Sequence, residues 1–448
     1  MVRDLTTGHP MKQLLLFAVP FMLGNLLQQA YNIADMMIVG RFVGSPGLAA
    51  ASAGGEISML FLYAAMAFSA GGQVVISQHI GAGSRDKISR SVGTLFTSLL
   101  IMAIVFMAFA ISCCDWMLGL MKVPEEALGY AHDYSLVYYC GMIPMFGYNA
   151  VSAVLRGMGD SRHPFIFIGI AAVLNVVLDL IFVGALGMAS FGAALATVLS
   201  QTFSFLLGLG FLYRHRDEFG FEFKLRSFVI DRAELRPINK IGTPSAVMNI
   251  AVSISLVFIA RFVNSYGVAA AAATAVGNKV TMVATICTSA MMTAGNSMIA
   301  QNFAARKYER LAKVLGCMLI VGMGFATLLS LILILAPEWV FSLFDKDPEV
   351  LALSHVYVVS GVVNLYGFAT RAVGFGFCNG IGNARLSFIG GLIDGIAARI
   401  GLSLLFGITL GMGVSGFWLG SAIAGNVVGV IVLFYYYFSD WKNRELLV

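Results

Sequence analysis

The sequence predicts an all-α polytopic membrane protein, with twelve transmembrane helices in two six-helix lobes related by a pseudo-two-fold axis along the membrane normal. Three observations carry this expectation. The 448 residues are 59% hydrophobic and only 11% charged, and mean hydropathy is +0.86; soluble domains carry roughly 25% charge. Apolar runs long enough to cross a bilayer recur twelve times. The second half of the chain restates the first at an offset near 223 residues.

A spanning helix needs about 20 mostly apolar residues. Such runs lie near 11–39, 48–79, 88–113, 126–156, 164–184, 190–213, 236–262, 268–301, 310–335, 348–379, 386–408 and 415–438. The longest must tilt or project beyond the hydrocarbon. The first run contains Pro20, Asn25 and Gln28 and passes Asp35 without a small-residue cleavage site, so it reads as a span and not as a cleavable signal. Cys113, Cys114, Cys140, Cys287, Cys317 and Cys378 show neither a CxxC nor a metal-ligand spacing, which argues against a disulfide framework or a zinc site.

The 28 Lys and Arg residues sort by loop. Arg41, Lys122, Arg261 and Lys346 fall on one side, and Lys279, Arg371 and Arg399 inside spans. The other 21 fall with the N-terminus and the even-numbered loops. The positive-inside rule then puts both termini in the cytoplasm. Trp116 and Trp339 fall at outer span ends, where interfacial aromatics belong. The net charge of +5 gives no case for nucleic acid, because its placement matters more than its sum.

GQVVISQHIGA (72–82) returns as GNSMIAQNFAA (295–305), and RGMGDSRHPFI (156–166) as NGIGNARLSFI (379–389). The same offset aligns Trp116 with Trp339 and Tyr134 with Tyr357; Pro20 meets Pro244 at 224. The predicted organisation is an N-lobe over 1–213, a cytoplasmic linker over 214–235 and a C-lobe over 236–448. Six spans return the chain to its starting side, so the halves share orientation. This is the parallel-repeat plan of some transporters, with substrate near the midplane between repeats.

Acids occur in or near span interiors at Asp35, Glu56, Asp179 and Asp394. Each costs about 2.5–3.5 kcal/mol on insertion scales and is a functional candidate for that reason. Asn175 and Asp179 are four apart and share a helix face. Asp179 lies about 22 Å above the cytoplasmic end of its span. Asp35 lies in the same outer half, and Thr197 sits one to two turns down the next helix. Two carboxylates with amide and hydroxyl oxygens suit Na⁺, a hard cation; they suit H⁺ equally, since two close carboxylates in a dry site share a proton. The plainer alternative is that each acid bonds a neighbouring backbone or hydroxyl group.

The second half lacks these acids. Opposite Asp35 stand Ser255 or Ile259, and opposite Asp179 stand Leu402 or Ser403. It carries Lys279, Arg371, Asp394 and Arg399 instead, read either as an ion pair or as excess positive charge that biases substrate choice. Pro20 and Pro244 each remove a helix hydrogen bond and favour a bend, static or acting as a hinge when Asp35 changes charge. In the last span G416xxxG420 and G425xxxG429 are close-packing surfaces. The 23 Met and 34 Phe residues suit a cavity for varied apolar ligands, though most must face lipid or core. No HExxH, GxSxG or Walker A pattern occurs. The glycines of 156–162 read as a tight turn. An ion gradient is therefore the expected power source, with no enzymatic activity and no cofactor beyond the coupling ion.

On Pro20, Asn25, Gln28, YNIADMMIVGRFVG (31–44), AGGQVVISQHIGAG (70–83), LRGMGDSRHP (155–164), Asn175 and Asp179, the chain resembles the multidrug and toxic compound extrusion (MATE) family, most closely its bacterial DinF-type and MepA-like branch. The resemblance runs over nearly the whole chain. It implies a V-shaped pair of lobes, alternating access, and export of small organic, often cationic, compounds against Na⁺ or H⁺ entry. It places the N-lobe cation site at Asp35, Asn175, Asp179 and Thr197, with Tyr134 and Asn149 as additional members. Some NorM-type members use acids in spans seven and ten; here span seven has none and span ten offers Arg371, which concentrates coupling in the N-lobe. The competing expectations are a lipid-linked precursor or polysaccharide flippase, and a membrane-embedded enzyme or receptor. The expected partners are a small organic substrate and membrane lipids, not nucleic acid, for a monomeric protein.

Overall fold

The computed structural model describes residues 3–218 and 220–448, and their regular structure is helical. The elements are α1 (Pro10–Phe42), α2 (Ser45–Gly81), α3 (Arg85–Ser112), α4 (Cys114–Leu120), α5 (Glu125–Cys140), α6 (Met142–Gly157), α7 (Arg162–Asp179), α8 (Ala189–Arg214), α9 (Arg232–Asn264), α10 (Val268–Ala304), α11 (Tyr308–Leu335), α12 (Pro337–Ser342), α13 (Pro348–Gly380), α14 (Ala384–Leu392), α15 (Arg399–Leu404) and α16 (Val414–Phe438). π-helical turns extend α7 over Leu180–Ala185, join α14 to α15 over Ile393–Ala398, and extend α15 over Leu405–Thr409. Among the described residues, eleven helical stretches are long and apolar enough to cross a membrane.

The fourth expected span, 126–156, is not one helix. It breaks at Gly141 into α5 and α6, each 16 residues long. Pro144 has no N–H to give the Cys140 carbonyl, and the Gly141 N–H contracts onto both Val137 and Tyr138. A side chain at Gly141 would run into Val198. The corresponding α13 carries Asn364 and Gly367 at these two places and continues unbroken.

The chain forms two compact units, one built on Val19–Gly242 and the other on Leu5–Ala18 with Thr243–Leu447. The division differs from the expected 1–213, 214–235 and 236–448 at both crossing helices. The start of α9 belongs to the first unit because it is bonded there. Glu234 accepts from Ser91 Oγ at 2.5 Å and meets His79 Nε2 at 2.9 Å, and Thr94 Oγ1 accepts the Asp231 N–H. The stretch before it docks by Phe221, which is 1% exposed and packs edge-on against Phe223 and Phe228. The start of α1 belongs to the second unit for the same reason. Leu5 N–H donates to Gln301, Asn302 Nδ2 donates to the Leu5 carbonyl, and Arg310 donates to the carbonyls of Leu5, Thr7 and Gly8.

Inside each unit the repeat reappears as packing. A side chain at Gly54 would meet Tyr134, and one at Gly277 would meet Tyr357. Gly72 faces Leu95 as Gly295 faces Met318, and Gly157 faces Ile76 as Gly380 faces Ile299. In every case the second pair lies 223 residues after the first. Small residues let helix backbones approach where lipid supplies no hydrophobic drive, so these contacts set the helix spacing. Gly416 and Gly420 of α16 lie against the backbone of Phe406 and of Leu402–Ser403, as the sequence spacing anticipates. The turns at 156–162 and 379–385 also match. Gly159 and Gly382 have φ of +85° and +74°, and the Asp160 and Asn383 side chains accept from the N–H groups of His163 and Leu386. They are helix caps built on left-handed glycines, not phosphate loops.

Candidate functional site

The site lies in the first unit, where α1, α7, α8 and α5 supply its side chains. Leu27 packs on Gly169, and Phe165 and Ile168 on Gly24, so glycines on both α1 and α7 let the helices close. Asn175 and Asp179 occupy one face of α7 and are 1% and 0% exposed. Asp179 is the last residue before the π-helical turn Leu180–Ala185. A matching turn in the second unit, Leu405–Thr409, shows that the π geometry belongs to the repeat and not to the acid alone.

Asp35 reaches this face from α1, and its carboxyl lies within hydrogen-bonding reach of that of Asp179. Neither is supplied with donors. Asp35 Oδ1, both carboxyl oxygens of Asp179 and Asn175 Oδ1 are buried and find no partner among the described residues. An unsatisfied buried acceptor costs about 1–3 kcal/mol, and a charged one more. Such a cluster of oxygens is what a bound proton or hard cation would relieve. Thr197 stands beside it. Its hydroxyl donates to the Ala193 carbonyl at 3.2 Å and accepts from Asn175 Nδ2 at 3.4 Å. The Asn175 amide N–H is thus drawn toward α8, which leaves its carbonyl oxygen with the acids. Asp35, Asn175, Asp179 and Thr197 supply only oxygen to this cluster, as Na⁺ requires.

Beside the expected Tyr134 gather three further residues, Tyr31, Gln201 and Tyr138, that were not singled out from the sequence. Tyr31 lies one turn before Asp35 on α1, is 8% exposed, and accepts from Gln201 Nε2 at 3.4 Å. Tyr134 and Tyr138 of α5 stack with ring centroids 5.9 Å apart, within electrostatic reach of Asp35. Tyr31 and Gln201 each sit four residues from a predicted member, Asp35 and Thr197. That helical spacing was the available signal. Asn149, expected with Tyr134, instead donates to the Met145 carbonyl of its own helix at 2.9 Å, and no hydrogen bond joins it to the acids.

The second unit treats the equivalent positions differently. Ser255 and Ser403 spend their hydroxyls on the Val252 and Phe417 carbonyls. Of its four predicted charged residues, three come together. Asp394 Oδ2 receives Arg371 at 3.2 Å and Asp394 Oδ1 receives Arg399 at 2.8 Å. Lys279 is exposed and makes no ion pair among the described residues. Pro20 and Pro244 both lie within unbroken helices, α1 and α9.

The comparisons with known proteins follow the same two halves. The sequence profile of the family described as MatE matches residues 20–181 and 244–394. The "Probable multidrug resistance protein YpnP" of Bacillus subtilis is 29% identical over 452 residues, covering 99% of this chain and 98% of that one. The "FAD transporter" of Shewanella oneidensis is 26% identical, covering 92% of this chain and 95% of its own. A solved multidrug resistance MATE family transporter of the MOP superfamily, in its outward-facing conformation, superposes with a TM-score of 0.89 at 23% identity over 98% of both chains. That likeness establishes the fold.

Proposed function

The chain belongs to the MatE family, and on that premise we propose that it is a secondary antiporter which exports small organic compounds in exchange for Na⁺ or H⁺ taken up between Asp35 and Asp179. The carrying observation is the set of four donorless oxygens on Asp35, Asn175 and Asp179, buried in a protein built of membrane-spanning helices. The relatives' names, which speak of multidrug resistance and FAD transport, support organic compounds as the cargo. Exposed apolar side chains such as Val173, Leu206, Ile320 and Leu331 fit a lipid surround. The excess of basic residues beside both termini supports a cytoplasmic placement for them.

The energetics suit a switch. Two unit charges about 4 Å apart repel by about 4 kcal/mol at an effective dielectric of 20. Taking an equilibrium from 1:99 to 99:1 needs about 5.5 kcal/mol, the same order. A cation entering between Asp35 and Asp179 removes the repulsion and lets α1 settle on α7; its departure restores it. The test is efflux from liposomes holding the full chain, under an imposed Na⁺ gradient and separately under a pH gradient. One of the two must drive uphill flux. Flux indifferent to both would overturn the proposal.

A further inference from the structure

The charged cluster of the second unit is not a neutralised ion pair. Asp394, 1% exposed, has spent one oxygen on Arg371 and the other on Arg399. Asp394 and Arg399 are five residues apart. In an α-helix that spacing points two side chains about 140° apart, since successive residues turn by about 100°. The π-helical turn Ile393–Ala398 brings i and i+5 onto one face and makes the pair possible. This turn has no counterpart in the first unit, where the corresponding stretch of α7 is regular helix. Arg399, only 6% exposed, also donates to Ser421 Oγ at 2.9 Å, yet its buried Nε has no acceptor among the described residues.

Two guanidiniums share one carboxylate, so a full positive charge remains. Arg371 carries the open side of it. Its side chain is 23% exposed and its guanidinium lies 4.8 Å from the centroid of the Phe368 ring, which steadies it. Arg371 lies nine residues before the end of α13, about 13 Å inside the helix, and a charged side chain within a spanning helix characteristically faces the bundle interior or a water-filled cavity. A second observation runs the same way. Lys279 stands 223 residues after Glu56, two residues beyond the matched pair Gly277 and Gly54, and both side chains are exposed. At this equivalent position the first unit offers an acid and the second a base.

We propose that the second unit recognises the oxyanion of an organic substrate, a carboxylate or a phosphate ester, at the open side of Arg371, with Asp394 and Arg399 as the positioning residues that hold it. A guanidinium whose one edge is fixed by a carboxylate still presents N–H groups in a plane, the geometry that takes oxyanions. The substrate class is then organic anions, not the cations that resemblance alone implies. This rests on the transport function proposed above and names its cargo.

Binding is tested on the purified full chain by fluorescence polarisation with flavin mononucleotide and with riboflavin, which differ only by the phosphate. Carboxyfluorescein serves as the carboxylate arm and ethidium as the cation. The expected result is that at least one of the two anions binds tenfold or more tighter than riboflavin. Arg371→Gln should erase that advantage and Arg371→Lys should keep most of it, with ethidium binding unchanged by either. An advantage confined to one anion assigns the phosphate or the carboxylate. Equal binding of all four probes, or an anion advantage that survives Arg371→Gln, overturns the proposal. The doubly substituted Asp35→Asn, Asp179→Asn protein separates the two ideas. It should lose gradient-driven flux and keep the anion advantage, so that failure of coupling is read in flux and failure of this site in binding.

Discussion

The carboxyl of Asp179 lies within hydrogen-bonding reach of that of Asp35, while neither oxygen of Asp179 receives a donor from the described residues. Buried acceptors brought together without donors are what the proposed proton or cation would relieve. Asp35→Asn and Asp179→Asn are each expected to lower gradient-driven efflux at least tenfold while the protein still inserts. The measurement is flux from liposomes at equal protein content. Flux surviving both substitutions would remove the acids from coupling.

The same pair predicts a stability effect. A ligand held only by the folded state stabilises it by about 2.7 kcal/mol at one hundred times its dissociation constant. For a Na⁺ site, thermal unfolding should move upward in NaCl relative to KCl; for an H⁺ site, the cation should make no difference and acidification should raise the midpoint. Asp179→Asn is expected to abolish whichever response the parent shows. A response that persists in the variant would place the ion elsewhere.

The glycine contacts supply a prediction with both signs. A methyl at Gly157 or Gly380 runs into the Cβ of Ile76 or Ile299, at 2.9 and 2.7 Å, beside backbone that cannot yield. Gly157→Ala and Gly380→Ala should each cost about 1–3 kcal/mol, the usual range for overpacking. Gly210 and Gly316 sit inside α8 and α11 with open space around them. There alanine should stabilise by about 0.5–1 kcal/mol through backbone entropy. Unfolding midpoints of the four variants in one detergent check the contrast.

How far these features can be read in the sequence follows from what each depends on. The spans and the repeat depend on hydropathy and spacing, so Gly54 and Gly277 align before any coordinate is known. The Asn175–Asp179 face depends only on helical periodicity. The break at Gly141 is invisible to hydropathy, because Gly141 and Pro144 sit in an apolar run and change its backbone but not its polarity. The pairing of Asp394 with Arg399 needs a π turn, which no local residue pattern announces. The division inside α1 and α9 depends on long-range bonds such as Gln301 to Leu5, which neither helix reveals by itself.

Glu234 should act as a strut within the first unit. It is 5% exposed and is met by His79, which is fully buried, and by Ser91. Glu234→Ala leaves both partners facing a void, and hydrogen bonds to a charged group are worth about 1.5–3 kcal/mol each. A loss of about 3 kcal/mol is expected, with Glu234→Gln milder because it keeps an acceptor. Proteolysis between α8 and α9 should quicken in the alanine variant. Unchanged cleavage would mean that the Phe221 cluster alone holds this stretch.

Pro20 stands two residues past Ala18, where α1 leaves the second unit for the first, and Pro244 stands two past Gly242, where α9 makes the reverse change. Each proline withholds the N–H that would close the bond to the carbonyl four residues earlier, at Leu16 and Lys240. Both crossing helices therefore lack one of their own hydrogen bonds close to where their packing partners change. Pro20→Ala restores one bond and should stiffen α1 without touching the acids. Turnover in gradient-driven flux is expected to fall several-fold, while the substrate concentration for half-maximal flux and the response of unfolding to the coupling ion stay as in the parent. A loss of the ion response would instead show that Pro20 helps to shape the Asp35–Asp179 site, and unaltered turnover would make the bend static.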